Sequence, residues 1–262
     1  MSTDRVQFDI TDDVAHIRLI RADARNAIDR AMVEAFADAV EQATMPGAAR
    51  SILVSAAGPS FTVGGDLAHF AGARDRLADE LHDTIAGYHP ALLKLAQAPV
   101  PVVCAAQGAA AGGGLGMLWA SDLVIAAEDL VVATGFARLG LSGDGGSSWY
   151  LPRLVGMLRA KELILAGRVL NAAEALEWGL VSKVVPPAEL EAAGLNAALG
   201  FAAGPTTGYK EMLRLLSMSW DRSLVEGLTA ETAAMRETGS TLDAVEGVVA
   251  FHERRRPHFN GN

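Results

Sequence analysis

Three glycine-rich stretches and one histidine carry the chemistry this sequence can offer. The first is Ser60-Phe61-Thr62-Val63-Gly64-Gly65-Asp66-Leu67. A strand-like run ends there, two glycines follow, and a helix opens near Asp66. Consecutive glycines allow backbone conformations that expose N–H groups. At a helix start such donors lack intrahelical partners and can hold an anion or an oxyanion. An ordinary turn with Asp66 as helix cap fits the same residues. The second stretch, Gln107 to Gly116, repeats the pattern with Gly112, Gly113 and Gly114. It is not a dinucleotide fingerprint, because Met117 stands where the last glycine of G-x-G-x-x-G belongs, and no Gly-Lys-Ser/Thr follows to make a phosphate loop. Two strand–glycine–helix starts can give one N–H each to a single oxygen, which is the plan of an oxyanion hole. Close helix packing that tolerates only glycine is the alternative.

The third stretch is Leu141-Ser142-Gly143-Asp144-Gly145-Gly146-Ser147-Ser148-Trp149-Tyr150. A carboxylate held against apolar residues has a raised pKa and can act as general base. Asp144 can equally be a helix N-cap. Ser142 is no hydrolase nucleophile, since Asp144 replaces the last glycine of G-x-S-x-G. His89 precedes Pro90 and an amphipathic apolar run. It can serve as base or nucleophile, or as a hydrogen-bonded structural residue. No His, Cys or Asp cluster has metal-ligand spacing, so no metal is expected.

The elements that position these groups alternate. Val6–Ile10 and Val14–Ile20 read as a strand hairpin, and Ala31–Ala43 has helical spacing. Ser51–Ser55, Val100–Ala105 and Leu123–Ala127 are short apolar strands, and Val131–Thr134 is a further candidate. Gly113–Ala120 reads as helix. Asn171 and Glu174 form a capping box for a helix at Ala172–Trp178. Val181–Val185 is the last strand. Gly204-Pro205 marks a boundary. Beyond it Thr207–Ser219, Ser223–Glu237 and Leu242–Arg255 are helical. This is an α/β core, residues 1–203, with a helical appendage, residues 204–262, too small for a secure core of its own.

Composition narrows the function. The 262 residues are 50% apolar and 20% charged, ample for a buried core. Lys and Arg total 22 against 31 Asp and Glu, a net charge of -9, with one basic cluster at Arg254–Arg256. Nucleic acid is therefore not an expected partner. The single cysteine, Cys104, excludes an internal disulfide and points to the cytoplasm. Met1–Asp13 carries Asp4, Arg5, Asp9, Asp12 and Asp13, unlike a signal peptide. Lys94 to Asp122 holds no charge between its ends, but Pro99, Pro101 and five glycines break any membrane helix. No membrane association is expected.

The chain resembles the crotonase (enoyl-CoA hydratase/isomerase) superfamily over nearly its whole length. The resemblance rests on Ala24-Arg25-Asn26-Ala27-Ile28, Phe61 to Leu67, Gly108 to Gly114, Gly143-Asp144-Gly145-Gly146 with Leu151 to Gly156, Glu177 to Val181, and Glu246-Gly247-Val248 with Arg256-Pro257-His258-Phe259. It implies a ββα spiral followed by a helical trimerisation region, assembled as a homotrimer or dimer of trimers. It implies an acyl-CoA thioester as substrate, with coenzyme A part of the substrate and no separate cofactor. Gly65 and Gly113 would supply the oxyanion-hole N–H groups. Arg25 would lie near the CoA phosphates, and Val63, Gly64, Gly65, Asp66 and Leu67 along the CoA path.

Departures from the family pattern choose among activities. The two glutamates that hydratases use to handle water would fall at Gly116 and Phe136, and neither carries a carboxylate. Asp144 matches the base of isomerases with a Pro-Asp-Gly-Gly loop, such as ring-epoxide phenylacetyl-CoA isomerases, with Gly143 in place of the proline. The favoured expectation is thus an enoyl-CoA isomerase with Asp144 as base. Phe136 and Trp149 are then expected to keep its pocket dry. Asp144 and His89 also match the 4-chlorobenzoyl-CoA dehalogenases, although those have a Trp at Phe136 and an aromatic at Gly65. A hydratase-type lyase and a non-catalytic acyl-CoA binder complete the alternatives.

Overall fold

The computed structural model describes residues 5–262. Of the N-terminal residues considered above, Met1 to Asp4 lie outside that range. β1 (Val6–Thr11) and β2 (Val14–Leu19) form the expected antiparallel hairpin. Asp12 and Asp13 turn it with positive φ angles of 51° and 61°, which short polar side chains tolerate. α1 (Arg30–Ala43) follows, and the Asp29 carboxylate caps it through Met32 N–H at 2.8 Å. β3 (Ser51–Ala56) then runs parallel to β2.

The same sequence of events repeats. α2 (Leu67–Gly72) and α3 (Leu77–Ala96) return the chain to β4 (Val102–Ala106), parallel to β3. β5 (Ala109–Ala111) leads through a tight turn at Gly112–Gly114 into α4 (Leu115–Trp119). β6 (Leu123–Ala127) adds to the main sheet, β7 (Val131–Ala133) pairs with β5, and α5 (Phe136–Leu139), α6 (Ser147–Val155) and α7 (Met157–Ile164) follow. β8 (Val169–Asn171), α8 (Ala172–Glu177), β9 (Lys183–Val185) and α9 (Leu190–Ala202) complete the core. The main sheet has the order β1-β2-β3-β4-β6-β9, and the small one β5-β7-β8. Single bridges Ile28–Gly65 and Thr62–Ala110 extend the small sheet's layer toward the first turns. Each turn of the chain thus lays one strand in the large sheet and a shorter stretch in a second layer, which is the ββα spiral.

The central strands β3 and β4 are buried along their length, as parallel strands covered on both faces must be. One face packs on α1, α3 and the small sheet, with Phe36, Leu95, Cys104 and Leu115 fully buried. The other packs on α9, whose Gly194 approaches the Ala105 Cβ so closely that a Cβ there would stand 2.9 Å from it. The polyalanine strand β5 has little strand character in sequence. Its pairing with Val131–Ala133 makes it one.

The helical tail consists of α10 (Thr206–Ser217), α11 (Leu224–Gly239) and α12 (Leu242–Glu253). Arg50 ties it to the core, donating to Gly204 O at 2.6 Å, Thr206 Oγ1 at 2.9 Å and Phe259 O at 3.3 Å. Among the described residues no helix is long and apolar enough to cross a membrane.

Gly108 links the two layers with φ +53°, and a Cβ on it would collide with Pro59 O, a backbone atom that cannot swing aside. Gly108→Ala is expected to destabilise the fold by about 3 kcal/mol, through positive-φ strain and overpacking together. Urea unfolding with an unchanged m-value measures it; a midpoint equal to wild type contradicts the spiral's close layer contact.

Candidate active site

The site is assembled where two turns of the spiral abut. Arg25 and Asn26 adopt φ angles of 52° and 53°. The Asn26 amide donates to Ala57 O and Ser60 O, both at 2.9 Å, from a fully buried position. Thr62 Oγ1 donates to Asn26 O at 2.7 Å and accepts from Gly64 N–H at 3.1 Å. Ile28 N–H donates to Gly64 O at 2.8 Å, and Asp66 N–H to Ile28 O at 3.0 Å. Every neighbour of Gly65 is therefore held, while its own N–H meets no protein acceptor among the described residues.

Thr62 also joins the next turn, its N–H donating to Ala109 O and its O accepting from Ala111 N–H, both at 3.0 Å. Two residues past Ala111 lies Gly113, in the first turn of a helical stretch, where an N–H has no intrahelical partner. Gly65 and Gly113 border one cavity of about 430 Å³. Val63, Leu67, Phe136 and Asp144 border it as well.

Asp144 does not cap a helix with its side chain; Gly146 occupies the cap of α6. Its Oδ1 accepts from Gly145 N–H at 2.6 Å and lies 2.6 Å from His89 Nε2. With the carboxylate ionised, Nε2 carries the proton and donates. Oδ2 has no protein partner among the described residues and overlies Gly113, in the space a Cβ there would take. The free oxygen, the two free N–H groups and an apolar cavity thus meet at one place. Such donors stabilise a negative oxygen, and such a carboxylate can take a proton from the carbon beside it.

The other sequence candidates divide. His89 reaches Asp144 but faces a second cavity of about 610 Å³, bordered also by Trp119, Asp122, Gly145, Trp149 and Tyr150. Trp149 lies on that second cavity, beneath the Arg153 guanidinium at 4.1 Å, and does not border the first. The left-handed pair Gly145 and Gly146 turns the chain between Asp144 and Trp149, separating the two side chains. Asp66 caps α2 through Ala68 and His69 N–H, each at 3.1 Å, and pairs with Arg21 at 2.8 Å. Its carboxylate is not in the cavity lining. Arg25 contacts Ser60 Oγ at 3.3 Å, outside the lining.

Tyr88 was not singled out by sequence. It is buried, borders the cavity, and donates its hydroxyl to Gly113 O at 3.2 Å. Burial raises its pKa, and the Asp144 charge adds to the rise. The only sequence signal was its place one residue before His89. Cys104 lies on β4 with its side chain buried, and burial raises its thiol pKa.

A ββα spiral that brings two N–H donors and a carboxylate to one apolar cavity defines a class of enzymes that stabilise a carbonyl-derived oxyanion. Comparisons with known proteins identify the family. The enoyl-CoA hydratase/isomerase family profile matches residues 9–262. The 1,2-epoxyphenylacetyl-CoA isomerase of Escherichia coli is 32% identical, with 95% of each chain covered. The trans-2-decenoyl-[acyl-carrier-protein] isomerase of Streptococcus mutans is 30% identical over the whole of both chains. The solved enoyl-CoA hydratase of Bacillus anthracis superposes with a TM-score of 0.92 at 31% identity, covering 99% of this chain and 100% of the other. The chain belongs to the enoyl-CoA hydratase/isomerase family.

Asp66 yields a pH prediction. Burial works to raise its pKa, but hydrogen bonds from His69 N–H, Arg21 and Ala68 N–H outweigh it and hold the carboxyl below its usual 3.8. Its stabilising contribution is present above the unfolded-state pKa and lost as pH falls through the depressed folded value. Asp66→Asn should therefore be less stable than wild type near neutrality, with the gap closing below about pH 4. Urea midpoints across that range test it; a gap independent of pH contradicts the assignment.

Proposed function

We propose that the protein is an acyl-CoA double-bond isomerase with Asp144 as base. The observation that carries this reading is the division of labour within one carboxylate: Oδ1 is engaged by His89 and Gly145 N–H, and Oδ2 is free above Gly113. The thioester oxygen of a 3-enoyl-CoA accepts from Gly65 and Gly113 N–H. Oδ2 takes a proton from C2, and the C–H electrons pass to the thioester oxygen as an enolate. The electrons then return: C1=O reforms, C2=C3 forms, and the former C3=C4 pair takes the proton from Asp144 at C4. No atom or electron is gained or lost, so no cofactor is required beyond the CoA of the substrate.

Water addition is disfavoured by the same residues. A Cβ on Gly116 would stand 2.5 Å from Leu92 Cδ1 and 2.8 Å from Gly145 O, so a glutamate is not accommodated there as the chain stands. Phe136, in the other glutamate position, is buried and borders the cavity. Two relatives are named isomerases, of 1,2-epoxyphenylacetyl-CoA and of trans-2-decenoyl-[acyl-carrier-protein], while others, such as the probable enoyl-CoA hydratase of Rhodobacter capsulatus at 34% identity, are named hydratases. The hydrolase alternative draws on the His89–Asp144 bond. It requires His89 to serve water on the acyl side, whereas the ring borders the other cavity. Reaction of an aryl-CoA in labelled water under single turnover would put label into Asp144 if that alternative held.

We propose that the tail forms the interface of a homotrimer or dimer of trimers, as the family resemblance implies. Leu224, Val225, Met235, Val248 and Phe251 are 72–87% exposed. A cluster of such size on one region marks an association surface.

Asp144→Asn should lower isomerisation by about 10³-fold or more, the scale of a lost general base, with CoA-ester binding retained within a few-fold. Steady-state kinetics and calorimetry check both halves. Full activity in this variant overturns the proposal.

A further inference from the structure

The oxyanion turn poses a mechanical difficulty. Gly112, Gly113 and Gly114 stand in a row, and Gly112 has φ +55°. Three adjacent residues without Cβ atoms can swivel, and a swivelling peptide does not keep its N–H aimed at one point. Catalysis by fixed dipoles needs donors that do not reorganise during the reaction. Something outside the turn must hold it.

The Gly113 carbonyl has two neighbours besides the helix it opens. Tyr88 Oη donates to it at 3.2 Å. Gly145 packs on its other side, so closely that a Cβ on Gly145 would collide with Gly113 O. Gly145 is also the residue whose N–H holds Asp144 Oδ1. The Tyr88 ring is itself fixed, tilted against Phe36 at 6.0 Å and against His89 at 6.4 Å between centroids. His89 is the other partner of Oδ1.

We infer that Tyr88 is a positioning residue that holds the Gly113–Gly114 peptide plane through the Gly113 carbonyl, so that the adjoining Gly112–Gly113 plane, which carries the Gly113 N–H, hangs from a fixed Cα with its N–H aimed at the thioester oxygen and the turn in register with Asp144. It touches neither reacting atom. Its hydroxyl acts on the donor, its ring on the base's partner. This rests on the oxyanion-hole reading above. The raised Tyr88 pKa keeps the phenol protonated, hence a donor, throughout the working range.

The experiment reads the donor directly. A benzoyl-CoA carrying ¹³C at its carbonyl is bound to wild type, Tyr88→Phe and Phe36→Leu, and the carbonyl stretch is recorded by difference infrared spectroscopy. In wild type the stretch moves to lower frequency on binding, as polarisation requires. In Tyr88→Phe most of that shift is lost, kcat for the enoyl substrate falls about tenfold, and KM changes little, the scale of one hydrogen bond made indirectly. Phe36→Leu, which loosens the core beside the ring but keeps the hydroxyl, lowers the thermal midpoint and retains the full shift. A Tyr88→Phe protein with the wild-type shift and kcat overturns this inference alone. Equal loss of the shift in Phe36→Leu overturns it too, by making the effect one of general packing. No shift in wild type overturns the underlying oxyanion-hole reading and this inference with it.

Discussion

Asp144 Oδ2 lies over the Cα of Gly113, in the volume that a side chain at that position needs. The rest of the site follows from that contact. It sets the distance between a basic oxygen and the N–H donor of the same glycine, and it works only if residue 113 has no Cβ. It also requires Gly145 to be glycine, because the chain leaving Asp144 passes directly over the Gly113 carbonyl with φ +59°. Asp144 and Gly113, the proposed base and oxyanion donor, cannot drift apart without both loops moving, because Gly145 packs on the Gly113 backbone. Low-dielectric surroundings then make each dipole count for more than it does in water.

The spiral explains how residues far apart in sequence reach this contact. Successive turns stack, so the stretches after β3, β4 and β7 all emerge on one side of the large sheet. The bridge between Thr62 and Ala110 fastens the first two emerging stretches to one another. Asn26 fastens the turn before them, its amide spanning Ala57 and Ser60. The resemblance attached Ala24 to Ile28 to the fold as a motif, and the structure gives the reason: these residues are the frame on which the Gly65 loop is hung, while Arg25 and Asp66 are largely occupied with holding it.

The alternation of strands and helices was legible in sequence from short apolar runs and capping signals. The capping box at Asn171 and Glu174 is present with both hydrogen bonds, at 2.9 and 3.0 Å. Each glycine stretch alone also fitted an ordinary turn or close packing, and the family resemblance singled out Gly65, Gly113 and Asp144, which line one cavity. What was not legible depended on long-range pairing or on the direction a side chain takes. β5 is three alanines and becomes a strand only beside β7. The stretch from Ala68 to His89 carries mixed charge, and its helix α3 is defined by packing on α1, so Tyr88 had no pattern to announce it. Trp149 sits five residues after Asp144, yet two left-handed glycines send it to the other side of the His89–Asp144 pair.

If Asp144 moves a proton between C2 and C4 of a thioester enolate, incubating the protein with a 3-enoyl-CoA in deuterated water and following double-bond position and isotope content together shows it. The expected result is migration to the 2-enoyl-CoA with no 3-hydroxy product. A 3-hydroxyacyl-CoA product, or neither migration nor exchange at C2, would contradict it.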